Sequence, residues 1–378
     1  MAKQTAKFQV LESNRQFTTT LYNVLAERPG NVVFSPISVH AVLSMSYQGA
    51  KGITAEKFAS ILQVPTAAAA AEGYNIVMNR LNSIPNVTIL MANKIYLMEG
   101  YQLLPEFSNV ITKNFLSEVQ LLNFAANQVA ATKINAWVEE KTKEQIKNLI
   151  SKEALNASTR LVLVNAIYFK GSWKDTFDEE DTTTEPFYLN HVDSVEVQMM
   201  HSDMDFYYKS DPKLCAKILK LPYTDENLSM VIILPYDRNG IAELEKNLAT
   251  VNITEIIQDM CFRLVTVALP KFKVEKNMDL KSPLTKLGFA EIFDKSVANF
   301  GGMITADEQL FVSKFIQKVF IEVNERGSEA AAATTGTLEM FCRKPDEFIA
   351  DHPFIYFLYD KKSTCIFAGR LFNPNDTS

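Results

Sequence analysis

The run LVLVNAIYF at 161–169 constrains this chain more than any other segment, because Asn165 is its one strongly polar side chain. A half-exposed strand alternates apolar and polar residues, and this one does not. It therefore reads as a strand buried on both faces, in a sheet covered from both sides. Other segments rich in β-branched and apolar residues lie at 87–97, 228–234, 263–274, 314–323, 354–360 and 363–372, and each reads as a strand.

The first half carries the helical signals. Phe17, Leu21, Val24 and Leu25 recur at helical spacing before the breaker RPGN at 28–31. Ser35-Pro36 opens a second helix, with Ser35 as N-cap and Pro36 at the first helical position, and Gly49 ends it. A third helix covers 53–62, and the alanine run at 67–71 starts another. Residues 127–150, carrying Ile134, Trp137, Val138, Ile146, Leu149 and Ile150, read as one long amphipathic helix. Its lysines at 133, 141, 143, 147 and 152 interleave with Glu139, Glu140, Glu144 and Glu153, which makes a solvated face rather than an anion track.

A length of 378 residues suggests two or three domains. No Pro/Ser/Gly linker divides the chain, however, and no repeat appears. Glycine and proline number 13 and 14, about 7% together against a usual value near 12%. One large α+β domain spanning 1–378 is the better expectation. No apolar run approaches the length of a bilayer span. A net charge of −6 with no segregated block speaks against nucleic acid as a partner.

Neither the cysteines (Cys215, Cys261, Cys342, Cys365) nor the histidines (His40, His191, His201, His352) form a zinc-ligand or disulfide-scaffold pattern. The motifs G-x-S-x-G, H-E-x-x-H, the P-loop and G-x-G-x-x-G are all missing, so nothing points to an enzyme. Gly301-Gly302 reads as a turn. The N-terminus MAKQTAKFQV has no apolar signal core, so the chain is either cytosolic or stripped of its signal peptide. Five N-x-S/T sequons begin at Asn86, Asn156, Asn227, Asn252 and Asn375 and lean toward secretion.

One stretch departs from the general pattern. From Lys318 the sequence KVFIEVNERGSEAAAATTGTLEMFCRKPDEFIADHPF places a strong strand before a tract of small residues. Read with period two, Ser328, Ala330, Ala332, Thr334, Gly336 and Leu338 share one face, and Glu329, Ala331, Ala333, Thr335, Thr337 and Glu339 share the other. A strand with those faces can slide between existing strands with one side buried. A short helix, capped by Ser328 and ended by Gly336, fits the same residues, and propensity favours it.

This segment resembles the reactive-loop hinge of the serpins, and the resemblance extends over nearly the whole chain. NVVFSPISVHAVLSMSYQGAKGIT (31–54) resembles that family's second helix and the turn after it. LVNAIYFKGSW (163–173) resembles the central strand of its largest sheet, and DHPFIYFLYDKKSTCIFAGRLFNP (351–374) its C-terminal signature. In detail the chain is most similar to arthropod inhibitory serpins.

The resemblance implies a fold of about nine helices around three β-sheets, with an exposed reactive-centre loop at about 326–345. It implies a monomeric suicide-substrate inhibitor, with no membrane partner, that traps a serine protease as a covalent acyl complex. The cleaved loop inserts into the main sheet, a switch of the kind the serpins exemplify. The setting implied is a secreted one, an extracellular cascade of innate-immune type. The alternative within the family is a non-inhibitory carrier, storage protein or chaperone.

By the same resemblance, Glu325, Gly327, Ser328, Glu329, Ala330, Ala331, Ala332, Ala333 and Thr334 form the hinge. Ser35, Ser38 and Asn165 match the polar cluster beneath the strands that must part, and Trp173 marks where insertion begins. Lys271 pairs with Glu325 at the loop's root. Gln317 stands where the family often has His, so the cluster is expected to be wired differently, and Arg326 replaces a frequent acidic residue. The residue before the scissile bond is Phe341 by counting from Gly327 and Cys342 by counting back from Pro353. Arg343 is a third candidate, suited to trypsin-like proteases, whereas Phe341 suits a chymotrypsin-like pocket. No cofactor is required. A heparin-like polyanion stays open, although 72–84, where some relatives concentrate basic residues, has only Arg80.

Overall fold

A computed structural model describes residues 2–251, 253–305, 309–327, 345–361 and 364–377. The N-terminal half runs α1 (Ala2–Ala26), β1 (Val32–Phe34), α2 (Pro36–Gly49), α3 (Gly52–Leu62), α4 (Ala67–Leu81), β2 (Val87–Met98), α5 (Pro105–Phe115), β3 (Glu118–Leu122) and α6 (Asn127–Lys141). Then follow β4 (Leu161–Gly171), β5 (Thr183–Tyr188), β6 (Ser194–Asp211), β7 (Ala216–Pro222), β8 (Leu228–Pro235), α7 (Ile241–Leu248) and α8 (Ile253–Gln258). The last elements are β9 (Cys261–Pro270), β10 (Phe272–Asp279), α9 (Lys281–Leu284), β11 (Val312–Val323), β12 (Asp346–Ile349), β13 (Phe354–Asp360) and β14 (Thr364–Leu371).

The strands form two hydrogen-bonded networks among the described residues. One has the order β10-β11-β4-β2-β3, and the other β1-β14-β13-β8-β7-β6-β9-β12 with β5 beside β6. The two smaller sheets expected beside the main one are continuous here because β6 is 18 residues long. It pairs with β5 through its first third and with β9 through its middle, and its last residues reach β7.

In the five-stranded sheet β4 is buried on both faces, as the LVLVNAIYF run requires. Leu161, Leu163, Ile167 and Phe169 enter the main core. Val162, Val164, Ala166 and Tyr168 enter a second core with Ile134 and Val138 of α6 and with Ile316 and Phe320 of β11. Beneath the sheet lies α2, buried at every position except Gln48. Apart from His40, Tyr47 and Gln48, helix α2 is built of apolar or small residues, which suits a helix with almost no wet face.

Two elements differ from the sequence reading. The helix expected over 127–150 ends at Lys141. Lys143, Glu144 and Asn148 have φ of 49°, 64° and 52°, left-handed values that break the helix, while Ile146, Leu149 and Ile150 stay buried from an irregular segment. The strand expected over 263–274 is two strands. Pro270 ends β9 in the large network, and β10 begins at Phe272 in the five-stranded sheet. Proline lacks the N–H a ladder needs, so this is a natural point for the chain to change sheets.

Candidate functional site: a seam between two parallel strands

β4 and β11 lie side by side and parallel, in register from Val312↔Leu161 to Phe320↔Tyr168, with one irregularity between Val312 and Lys314. No other strand separates them among the described residues. Parallel pairing is slightly weaker per residue than antiparallel pairing, and this parallel pair lies between two antiparallel ones, β10–β11 and β4–β2, with β2–β3 parallel again at the edge.

Three amide side chains cross the sheet on one register line. Asn93 of β2 is opposite Asn165 of β4, which is opposite Gln317 of β11. The Asn165 amide nitrogen donates to Ser38 Oγ and to Asn93 Oδ1, and Ser38 Oγ donates to Asn93 Oδ1 at 3.0 Å. Across the seam, Gln317 Nε2 donates to Asn165 Oδ1 and to the Ser35 carbonyl at 3.2 Å, and the Ser35 N–H donates back to Gln317 Oε1 at 3.3 Å. All five residues are buried.

Gln317 thus clasps the main chain at the start of α2 and the amide of the neighbouring strand together. Ser35 does stand at the N-cap position, but its hydroxyl does not cap the helix and has no hydrogen-bond partner. Its contribution is made by its backbone. Asn93 was missed by the sequence reading. The signal was available, since MANKIY in β2 repeats the lone amide of VNAIY in β4.

Above the seam, β11 ends in a tight reversal. Asn324 N donates to Gly327 O at 2.9 Å and Gly327 N to Asn324 O at 3.1 Å, closing a turn over Glu325 and Arg326. Gly327 has φ +106°, and a Cβ there would sit 2.4 Å from Gly171 O and 2.6 Å from Trp173 N, so only glycine fits.

The turn is fastened to the end of β4. Trp173 N donates to Arg326 O at 3.1 Å, Trp173 Nε1 to Asn324 O at 3.0 Å, and Phe177 N to Glu325 O at 2.9 Å. Trp173 itself stacks on Tyr223 at 4.4 Å. Glu325 is 5% exposed and accepts from Lys271 Nζ at 2.9 Å and Thr182 Oγ1 at 2.8 Å. Burial pushes its carboxyl up, but Lys271, its own backbone N–H and Thr182 together hold it below the usual carboxylate range. Arg326 reaches outward to Glu179 at 2.7 Å.

The structure therefore brings Ser35, Ser38, Asn165 and Gln317 together at the middle of the seam, and Trp173, Lys271, Glu325 and Gly327 at its upper end. Ser328, Glu329, Ala330, Ala331, Ala332, Ala333 and Thr334, and the scissile-bond candidates Phe341, Cys342 and Arg343, lie outside the described residues. Among the described residues no cluster of three or more His, Cys, Asp or Glu is placed to hold a metal.

A protein family matches this chain over nearly its whole length. The model of that family, described as Serpin (serine protease inhibitor), covers residues 12–374. The chain belongs to the serpin family. Its serpin relatives include the leukocyte elastase inhibitor of Xenopus tropicalis, 36% identical over 91% of this chain and 93% of that one. Among solved structures it is similar to Serpin48, a highly specific serpin of the insect Tenebrio molitor, at 32% identity and TM-score 0.89 over 97% and 98% of the two chains. It is also similar to cleaved Serpin 42Da, at 34% identity and TM-score 0.88 over 98% and 100%. The serpin fold and the likeness to insect serpins follow the sequence expectation, and the family is one of serine protease inhibitors.

Proposed function

We propose that this serpin is a suicide-substrate inhibitor, and that the segment following Gly327 enters the seam between β4 and β11 once a protease has cut it near Phe341. The observation that carries this reading is the seam itself: two parallel strands in direct register, with the chain leaving β11 through a glycine turn beside the end of β4.

A segment that turns back at Gly327 and runs down between these strands is antiparallel to both. One parallel ladder is exchanged for two antiparallel ones, the better-bonded arrangement. From Gly327 to Phe341 is fourteen residues, which extended span about 46 Å at roughly 3.3 Å each. That is enough to carry an attached protease from one end of the molecule toward the other before its acyl bond hydrolyses. Residues that enter with one face buried must be small on that face, as Ser328, Ala330, Ala332 and Thr334 are.

We also assign the protein to an extracellular setting. Supporting this, four of its sequon asparagines, Asn86, Asn156, Asn227 and Asn375, are exposed.

The test is incubation with chymotrypsin and, separately, trypsin, followed by denaturing electrophoresis. A band at the summed mass that survives boiling is expected, with release of a C-terminal peptide whose first residue, read by mass spectrometry, identifies the cut bond. Cleavage without any such band, for serine proteases of both specificities, would replace this reading with that of a non-inhibitory carrier, storage protein or chaperone.

A further inference from the structure

A second site is present where the chain leaves α1 and where β10 turns into α9, one strand beyond β11 and outside the seam. A cavity of about 730 Å³ opens there, within the usual range for small-molecule sites. Its floor is apolar: Leu25, Val32 and Val33 are buried, as is Pro283 of α9, and Met278 lines one side. Its rim is cationic. Arg28, Lys276, Lys281 and Lys286 all line it, against one carboxylate, Asp279.

The nearby anions are already engaged. Asp279 holds Lys314 at 3.0 Å, and Glu27 holds Lys286. Arg28 and Lys281 have no carboxylate partner among the described residues, and Lys281 Nζ has only the ring of Phe293, 5.7 Å away. The cations come from the loop after α1, from β10, from α9 and from the turn that follows it, and they line a concavity rather than one exposed helix face.

The wall carrying Arg28 is fixed in place. Arg370 donates to the carbonyls of Ala26, Arg28 and Gly30, and the Asn31 amide donates to the carbonyls of Asn373 and Asp376. A preformed site loses little to ordering when it is filled.

We propose that this cavity binds an anionic amphiphile of the fatty-acid class, its carboxylate between Arg28 and Lys281 and its chain over Leu25, Val32, Met278 and Pro283. The carboxylate supplies the anion that the site lacks, with a guanidinium fork suited to it. The chain covers the apolar floor, which a hydrated polyanion lying across the rim would leave uncovered. Ligand binding here needs no inhibitory loop, so the assignment stands or falls apart from the reading as a protease inhibitor.

The experiment is calorimetric titration of the full chain with dodecanoate below its micelle concentration. Parallel titrations use dodecyl maltoside, as a neutral amphiphile, and a heparin oligosaccharide. The variants are Arg28→Glu/Lys281→Glu and the milder Arg28→Gln/Lys281→Gln, both at exposed positions and both checked for unchanged melting. Expected are one saturable dodecanoate site, a loss of affinity of at least about tenfold in the Glu pair and a smaller loss in the Gln pair. Equal binding of the neutral amphiphile, binding of heparin alone, unchanged affinity in the Glu pair, or no saturable heat with the wild type would each overturn the assignment.

Discussion

At the residue scale, two positions turn general physical chemistry into a numerical expectation. The first is Gly327, which can be compared with Gly30. Both have positive φ, +106° and +90°, but a Cβ at Gly30 meets nothing within 4 Å whereas one at Gly327 runs into the backbone of Gly171, Ser172 and Trp173. Gly30→Ala is therefore expected to cost only the conformational strain, about 1–2 kcal/mol. Gly327→Ala adds a backbone collision and is expected to cost at least about 2 kcal/mol more. Equilibrium denaturation of both variants checks this, and equal losses would mean that the turn at Gly327 yields to a side chain.

The second residue is His40, fully buried beneath Phe17, with Ser13 Oγ 2.6 Å from Nε2 and Tyr74 Oη 2.6 Å from Nδ1. Burial lowers its pKa to about 3, and contact with backbone carbonyls only partly opposes this. The unfolded chain, with an ordinary imidazole near 6.5, binds the proton more readily than the folded one. Stability from this group is therefore whole above about pH 6.5 and falls as the pH drops toward 3, by up to about 1.4 kcal/mol per unit. Denaturation midpoints at pH 7, 6, 5 and 4 should show this slope, and His40→Gln should remove its share of it. A His40→Gln profile parallel to wild type would show that the imidazole does not titrate in this way.

At the element scale, the sequence was most legible where one pattern controlled the outcome. The doubly buried β4, the proline-opened α2 and the alanine-rich α4, capped by Thr66, all follow from local signals. The misread elements are those where burial continues after the secondary structure ends. Ile146, Leu149 and Ile150 extend the apolar pattern of α6, yet they are delivered by turns, in a segment that leaves α6 over β2 and is hydrogen-bonded to Lys318 of β11 and Asn277 of β10. In the same way Asn93, Asn165 and Gln317 come from three distant segments, and only the sheet register makes them neighbours.

That crossing segment has a mechanical consequence. It lies over the seam and is fastened on both sides. On one side Lys94 Nζ, 2.8 Å from Glu118 and 4.6 Å from the Trp137 ring, ties β2 and β3 to α6. On the other, Lys318 Nζ donates to Lys147 O at 2.7 Å and pairs with Glu275 at 2.6 Å, and Asn277 Nδ2 donates to Leu149 O at 2.8 Å. Admitting one more strand moves β11 away from β4 by about 4.8 Å, so one set of fastenings must let go. Lys318→Met keeps the buried stem and removes the hydrogen bond, worth about 1 kcal/mol. If release of this segment limits insertion, the variant inserts roughly fivefold faster. Rapid-mixing fluorescence from a labelled loop reads the rate directly. An unchanged rate would place the limiting step elsewhere, at the amide clasp or the Gly327 turn.

At the scale of the whole molecule, a chain with few glycines and prolines builds a core on each face of one sheet and leaves a weaker parallel line through that sheet. The consequence is a stability that depends on whether the loop is intact. In the intact chain residues 328–344 are covalently joined to Gly327 at one end and, through Pro345, to β12 at the other. Cutting near Phe341 frees one end. If insertion follows, cleaved protein should melt at least about 10 °C higher than intact protein, which at roughly 2 °C per kcal/mol for a chain this large corresponds to about 5 kcal/mol or more. The control is Ser328→Arg, which places a charge on the face that must be buried. Cleaved Ser328→Arg should melt close to its intact form, and it should turn over as a substrate rather than form the boiling-resistant complex, because burying an unpaired guanidinium costs several kcal/mol. Calorimetry of the four samples separates the possibilities. A rise in the wild type alone ties the gain to the insertion of a small-faced strand. A rise in both would mean that cleavage relieves strain without insertion, and a rise in neither would leave the parallel seam as a fixed feature of the sheet.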